Sequence, residues 1–214
     1  MTYIHKSPHP QNGVHQKFSD LIKIYEKKND SEIWEAFNQG HEPAFNYIYR
    51  NFITCMFNYG CQITHKENIV QDCIQNLFIN LRNKRGSLSQ VSCIKAYLFK
   101  ILHRDIIYRL GKEKKLQYLD IENIENSFLI EVSCETKIIE VEFKDEMKNK
   151  LEEAMNNLTT KQRHALLLLY EEGLSYSQIA EILDFSEVKT ARKLIYRAIS
   201  NLKKMLQKEE LPKK

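Results

Sequence analysis

The chain has 214 residues, with 32 Lys and Arg against 28 Asp and Glu and a formal net charge of +4, long enough for one large domain or two small ones at ~100–200 residues each. No run approaches the ~18 consecutive apolar residues of a membrane span, and the opening MTYIHKSPHPQNGVHQK lacks the apolar core of a secretory leader. No membrane insertion and a cytoplasmic location are therefore expected. The five cysteines, Cys55, Cys61, Cys73, Cys93 and Cys134, include no CxxC pair, which argues against a structural zinc site and for free thiols in apolar gaps.

Gly and Pro are scarce, at 6 and 4, and the chain reads as helix after helix. Residues 1–20 are polar, with His and Pro, and residues 1–29 are expected to form a tail that is disordered in part. Asp30 and Ser31 are candidate N-caps for a helix to Asn38, with Gly40 beyond its end. A second helix is predicted from Glu42 to Gly60, with Pro43 in its first turn and Phe45, Ile48, Tyr49, Phe52 and Ile53 on one face. A third runs from Lys66 to Lys84. Ile69, Cys73, Ile74, Leu77, Phe78 and Leu81 make its apolar stripe, and Asp72, Gln75, Asn76, Asn80 and Asn83 its polar side. Residues 85–92, RGSLSQVS, read as a loop. A fourth helix is predicted from Cys93 to Leu110, with Tyr97, Leu98, Ile101, Leu102 and Ile106 toward a core.

Composition then changes. Residues 116–146 hold nine acids against Lys137 and Lys144 and read as an acidic linker whose end begins the next helix. Beyond it, Thr159 or Thr160 caps a helix to Glu172, which Gly173 stops. Ser175 caps a short helix to Leu183, Asp184 and Phe185 turn the chain, and Ser186 caps a last long helix. The fold class is thus all-α. Two small helical domains, 30–115 and 147–206, are joined by the linker 116–146 and followed by a charged tail, 207–214.

Residues 175–204 carry the strongest functional signal. A short helix, a tight turn and a longer basic helix make a helix-turn-helix, with Ala180 small at the crossing and Ile179, Ile182, Leu183 and Phe185 between the helices. The last helix sets Lys189, Arg192, Lys193, Arg197, Lys203 and Lys204 against one acid, Glu187. A lone basic helix reads as a solvated face; preceded by a capped helix and a tight turn it reads as a recognition helix, whose N-terminal half enters the major groove and reaches guanine edges and phosphates. A second signal lies in the fourth helix. Lys95, Lys100, Arg104, Arg109, Lys112, Lys114 and Lys115 oppose only Asp105 and Glu113, with Tyr97, Phe99 and Tyr108 between them. Basic side chains that track a strand, with aromatics that stack on bases, suit single-stranded DNA, although core packing accounts equally for such aromatics and is favoured for Tyr97.

These segments together resemble the extracytoplasmic-function (ECF) sigma factors of bacterial RNA polymerase. WEAFNQGHEPAFNYIYRNF is similar to the family's opening helices, NIVQDCIQNLFINL to its core-binding helix and IKAYLFKILHRDIIYRL to its promoter-melting helix. LTTKQRHALLLLYEEGLSYSQIAEILDFS followed by VKTARKLIYRAISNLKK is similar to its C-terminal helix-turn-helix domain. The resemblance covers residues 34 to about 204 in the family's order. It implies a sigma region 2-type N-terminal domain and a region 4-type C-terminal domain. The partners it implies are core RNA polymerase, through the β′ clamp helices and the β flap, promoter DNA, and an anti-sigma factor; no cofactor is implied.

By position, the resemblance assigns core binding to Asp72, Gln75 and Asn76, with Asn76 standing where the family usually has Glu, and Asn80 on the same polar side is a further candidate for that contact. It assigns the −10 element to Arg85 and Ser87 of the loop, which captures a flipped base, and to Lys95, Lys100, Arg104 and Arg109 of the melting helix. It assigns the −35 element to Ser186, Lys189, Arg192, Lys193 and Arg197. Arg104 and Tyr108 depart from the Asn and Asp common in the melting helix, and Glu187 reads as a one-residue insertion before the recognition helix.

Three rival classes explain less. A helix-turn-helix regulator acting without sigma activity explains the C-terminal residues but neither the polar stripe of the third helix nor the basic fourth helix. An enzyme finds no support: His5, His9, His15, His41, His65, His103 and His164 are scattered without ligand spacing, and no GxGxxG, Walker or GxSxG segment occurs. His164, in a mostly apolar helix, reads as a packed or edge residue rather than a ligand. A structural adaptor leaves the basic stripes unexplained. No catalytic and no metal-binding residue is assigned.

Overall fold

The structure is a computed structural model and describes residues 24–117 and 141–208, with side chains over 24–113 and 149–207. Most of the N-terminal tail, the linker over 118–140 with Cys134, and residues 209–214 lie outside the described residues. Among the described residues a 3-10 turn at Tyr25–Lys27 is followed by eight helices: α1 (Asp30–Asn38), α2 (Glu42–Ile63), α3 (Glu67–Asn83), α4 (Ile94–Gln117), α5 (Val141–Asn156), α6 (Thr160–Tyr170), α7 (Tyr176–Ile182) and α8 (Val188–Lys208). Among the described residues there is no strand. Among the described residues, those up to 53 together with 78–95 form one compact unit, and 54–77 with those from 96 onward form another.

In the first unit the cap of α1 is Asn29, one residue before the expected Asp30. Asn29 lies in the extended region, its side chain accepts from the Glu32 amide, and the Glu32 carboxylate accepts from the Asn29 amide, a capping box. Asp30 is thereby released for a tertiary cap: its carboxylate accepts from the Ile94 amide at 2.7 Å, at the start of α4, where free N–H groups need partners. α1 buries Ile33, Trp34, Ala36 and Phe37. Phe37 stacks on Phe45 at 5.8 Å, and Phe45 and Tyr49 meet Phe78 edge-on at 6.1 and 4.9 Å. Gly40, at φ +100°, makes the turn into α2, a conformation that a side chain would strain.

In the second unit the N-terminal part of α3 buries Ile69, Val70, Cys73, Ile74 and Leu77, the expected stripe plus Val70. α4 buries Leu98, Phe99, Leu102 and Ile106, while the expected core positions Tyr97 and Ile101 are half-buried. α2 runs three residues beyond the expected Gly60, and a Cβ on Gly60 would collide with Val70 and crowd Ile106. The glycine marks close helix approach rather than a helix end. α4 likewise continues past Leu110 and through Gly111, which faces open space; an exposed helical glycine costs only ~1 kcal/mol.

The C-terminal helices are closed by local signals. Thr159 and Gln162 form a capping box on α6, and Ser175 and Gln178 form another on α7. Gly173, at φ +66°, ends the segment after α6. After α7, Asp184 takes φ +55° and the Phe185 amide donates to the Ala180 carbonyl at 2.8 Å, a Schellman closure. α8 begins at Val188, so the residue flanking it is Glu187 rather than the expected Ser186; the Glu187 carbonyl accepts from the Thr190 amide at 3.0 Å.

Candidate nucleic-acid interface

α7, its turn and α8 form the helix-turn-helix read from the sequence. Ile179, Ala180, Ile182 and Leu183 are buried against Ala191, Ile195 and Ala198 of α8, and Phe185 is half-buried beneath the Lys161 ammonium, 6.0 Å from its ring. With Ala191, Ile195 and Ala198 inward, the helical period turns Lys189, Arg192, Lys193 and Arg197 outward, and all four are exposed, as is Ser186. Arg192 lies over the Tyr176 ring at 5.2 Å, which holds a planar guanidinium at the entrance of the recognition helix. Tyr196, on the same outward face, is 58% exposed.

The loop between α3 and α4 is held by side chains of α1. The Asn38 amide nitrogen donates to the Leu88 carbonyl at 3.0 Å, and its oxygen accepts from the Gly86 amide at 2.7 Å. The buried Trp34 indole donates to the Ser89 carbonyl at 2.9 Å. Arg85 points inward: its guanidinium lies 5.4 Å from the Phe37 ring, contacts Glu42 at 2.9 Å and donates to the Gly40 carbonyl at 3.3 Å. Hydrogen bonding to Arg85, then to Arg82, holds the Glu42 carboxyl below its ordinary range. Ser87 is exposed, and its hydroxyl donates to the Lys84 carbonyl at 2.8 Å.

The basic residues of α4 have partners as well. Lys95 is half-buried. Lys100 reaches Glu181 of α7 at 3.4 Å, and Arg104 pairs with Asp184 of the turn after α7, where the bond to Arg104 keeps the Asp184 carboxyl low. Arg109 lies between Asp105, at 3.4 Å, and Asp72 of α3, at 3.8 Å. Thus a residue assigned to DNA and one assigned to polymerase meet. Of the two aromatics left open, Phe99 is fully buried and Tyr108 is 69% exposed.

On α3, Asp72, Gln75, Asn76 and Asn80 are all exposed, and the Asn76 amide donates to the Asp72 carbonyl at 2.7 Å. Ile79, missed in the sequence reading, shares this face and is 48% exposed. Its place in the 72, 75, 76, 79 series was the available signal. Trp34 and Asn38 were also missed; their i, i+4 spacing places them on one face, but no local pattern says that the face meets a loop ~50 residues away.

Three ionisable groups without an assigned role meet in the second unit. Tyr59 Oη lies 2.9 Å from His103 Nδ1, and the His103 ring centroid is 5.5 Å from that of His164. Burial pushes His103 down to about 4 and His164 to about 3, the latter also through His103 and Arg163. Of the packed and edge readings of His164, the structure shows the packed one, with 2% of its surface exposed.

The site is therefore that of a helical DNA-binding protein with a recognition helix and a second, polar helix face. Residues 148–202 match the family described as sigma-70, region 4. RNA polymerase sigma factor SigV of Bacillus subtilis is 30% identical over 162 residues, covering 76% of this chain and 88% of SigV. RNA polymerase sigma factor YlaC of the same organism is 27% identical over 168 residues, covering 78% and 95%. Among solved structures, the sigma factor RpoE in complex with the anti-sigma factor NepR from Bartonella quintana shares the fold at TM-score 0.57 and 20% identity, covering 76% of this chain and 96% of that one. CnrH in complex with the cytosolic domain of CnrY does so at 0.56 and 17%, covering 85% and 99%. The chain belongs to the RNA polymerase sigma factors, in their extracytoplasmic-function group. It binds core polymerase and directs initiation at promoters, and its relatives are not enzymes.

Proposed function

We propose that the chain divides its work between residues 30–115, which bind the β′ clamp helices and hold the melted −10 strand, and residues 147–206, which bind the β flap and read the −35 duplex. The carrying observation is the two-sided character of α8. Its apolar seam of Ala191, Ile195 and Ala198 is buried, while Ser186 just ahead of it and Lys189, Arg192, Lys193 and Arg197 are exposed. That split gives a rigid helix whose basic face is free for a groove.

The exposed face of Asp72, Gln75, Asn76 and Asn80 is the polymerase-docking surface, with Ile79 as its apolar centre. Lys95, Lys100, Arg104 and Arg109 hold the single strand, and Ser87 contacts a flipped base from a loop that Arg85 anchors. The pairs of Lys100 with Glu181 and Arg104 with Asp184 leave each side chain partly solvated. Exposed pairs of this kind contribute about 0–1 kcal/mol, so phosphates can displace the carboxylates. Polymerase supplies the chemistry, no cofactor or metal enters, and the protein works in the cytoplasm. An anti-sigma partner is part of this reading, supported by the similar RpoE structure solved with one.

The test is run-off transcription with core polymerase and variants of α8. Removing a phosphate contact, as in Lys193→Ala, weakens all promoters alike and reduces the salt slope by about 1. Removing a base contact, as in Arg192→Ala, costs about 1–3 kcal/mol and relaxes one −35 position. Variants at Lys189, Arg192, Lys193 and Arg197 that leave both salt slope and promoter choice intact would refute the assignment.

A further inference from the structure

The loop over residues 84–93 is built to be loose: it contains Gly86 and three serines, and Gly86, Ser87, Ser89, Gln90 and Ser92 are all exposed. A chain of that composition samples many conformers and would lose that freedom on gripping a base. Yet three of its backbone groups, the Gly86 amide and the Leu88 and Ser89 carbonyls, are taken by Asn38 and Trp34. Asn38 spans the loop with both ends of its amide, at 2.7 and 3.0 Å. Gly86 meanwhile holds φ +85°, accessible to glycine alone without strain. Side chains of one helix that bond backbone groups of an exposed loop at several points fix its shape.

We infer that Asn38 is a positioning residue for −10 selectivity, with Trp34 as its partner. They prearrange the loop so that the exposed Ser87, Ser89 and Gln90 are held in one geometry toward the base. This rests on the proposal that the loop contacts the −10 element. Preorganisation sharpens discrimination because a loop free to move accommodates the wrong base at little cost.

The test uses the full chain with core polymerase on a promoter recovered by start-site mapping, with its −10 element randomised and its −35 element fixed. Transcripts from the whole pool are counted in one reaction. Loss of folded protein scales all templates equally, so only the ratio between −10 variants reports on positioning. Asn38→Ala is expected to flatten the preference at one −10 position by about tenfold, the scale of one discriminating base contact. Trp34→Phe, which retains an aromatic ring beside Phe37, is expected to shift the same position less. Preference at a randomised −35 element stays as in the parent. In parallel, exchange of the Gly86 amide, slow in the parent, becomes at least about tenfold faster in Asn38→Ala.

Ser87→Ala, Ser89→Ala and Gln90→Ala separate this inference from the reading beneath it. If any of these three flattens the −10 preference while Asn38→Ala and Trp34→Phe do not, the loop reads bases but α1 does not set its selectivity. If none of the five changes the preference, the loop does not read the element and the inference falls with it. A uniform loss across all templates in Asn38→Ala, without a change in ratio, also overturns the inference, and Trp34→Phe repeats the comparison in a variant that retains the packing.

Discussion

At Gly60 a single hydrogen atom decides whether three helices fit. Glycine within a helix ordinarily costs ~1 kcal/mol relative to alanine, so Gly60→Ala should stabilise α2. Here the added methyl would press into the Val70 side chain and crowd Ile106, and overpacking costs about 1–3 kcal/mol. The packing cost is the larger, and Gly60→Ala is expected to lower stability by about 1 kcal/mol. A urea unfolding midpoint above that of the parent would contradict the close approach. Arg85 teaches a related lesson. An arginine in a Gly- and Ser-rich loop has the chemistry of a DNA ligand, and the same chemistry serves a cation over Phe37 paired with Glu42. Sequence cannot tell these apart, because the partners lie more than 40 residues away and only the fold brings them near.

Among the elements, α2, α4 and α6 contribute Tyr59, His103 and His164 to one buried cluster. Asp184 favours the charged form of His103, but Arg104 and above all burial oppose it; Arg163 opposes charge on His164. Both histidines are held below their ordinary value near 6.5, so the folded state favours the neutral rings. Their contribution to stability is complete above about pH 6.5 and is lost as pH falls from there toward about 4 for His103 and about 3 for His164. The unfolding midpoint is expected to drop between pH 7 and pH 5, and His164→Leu to reduce that drop. Equal pH dependence in parent and variant would exclude the cluster as its source.

The helices themselves were legible where local signals sufficed. The Thr159 and Ser175 capping boxes, Gly173, the Asp184 turn and the stripe of α3 were all written in residues a few positions apart. Boundaries failed where tertiary contacts prevail: Asn29 caps α1 because Asp30 serves α4, and α2 and α4 run through their glycines.

For the whole molecule, the order of the segments carried more than any segment alone. A basic recognition helix defines only a DNA-binding protein. The exposed polar face of α3 and the cationic α4, in that order along one chain, distinguish an initiation factor from a regulator, and the similarity to SigV over 88% of its length agrees. The exposed groups of the candidate site were readable because a helical period dictates which residues face out. The partners of Lys100, Arg104 and Arg109 were not, because Glu181, Asp184 and Asp72 lie on other helices.

The most direct measurement is transcription by purified core polymerase from the source organism, with and without this protein, on its genomic DNA, with every 5′ end mapped. The account predicts discrete new starts that share two upstream elements at a fixed spacing. An active core that gains no starts, while the protein alone binds DNA, would contradict it.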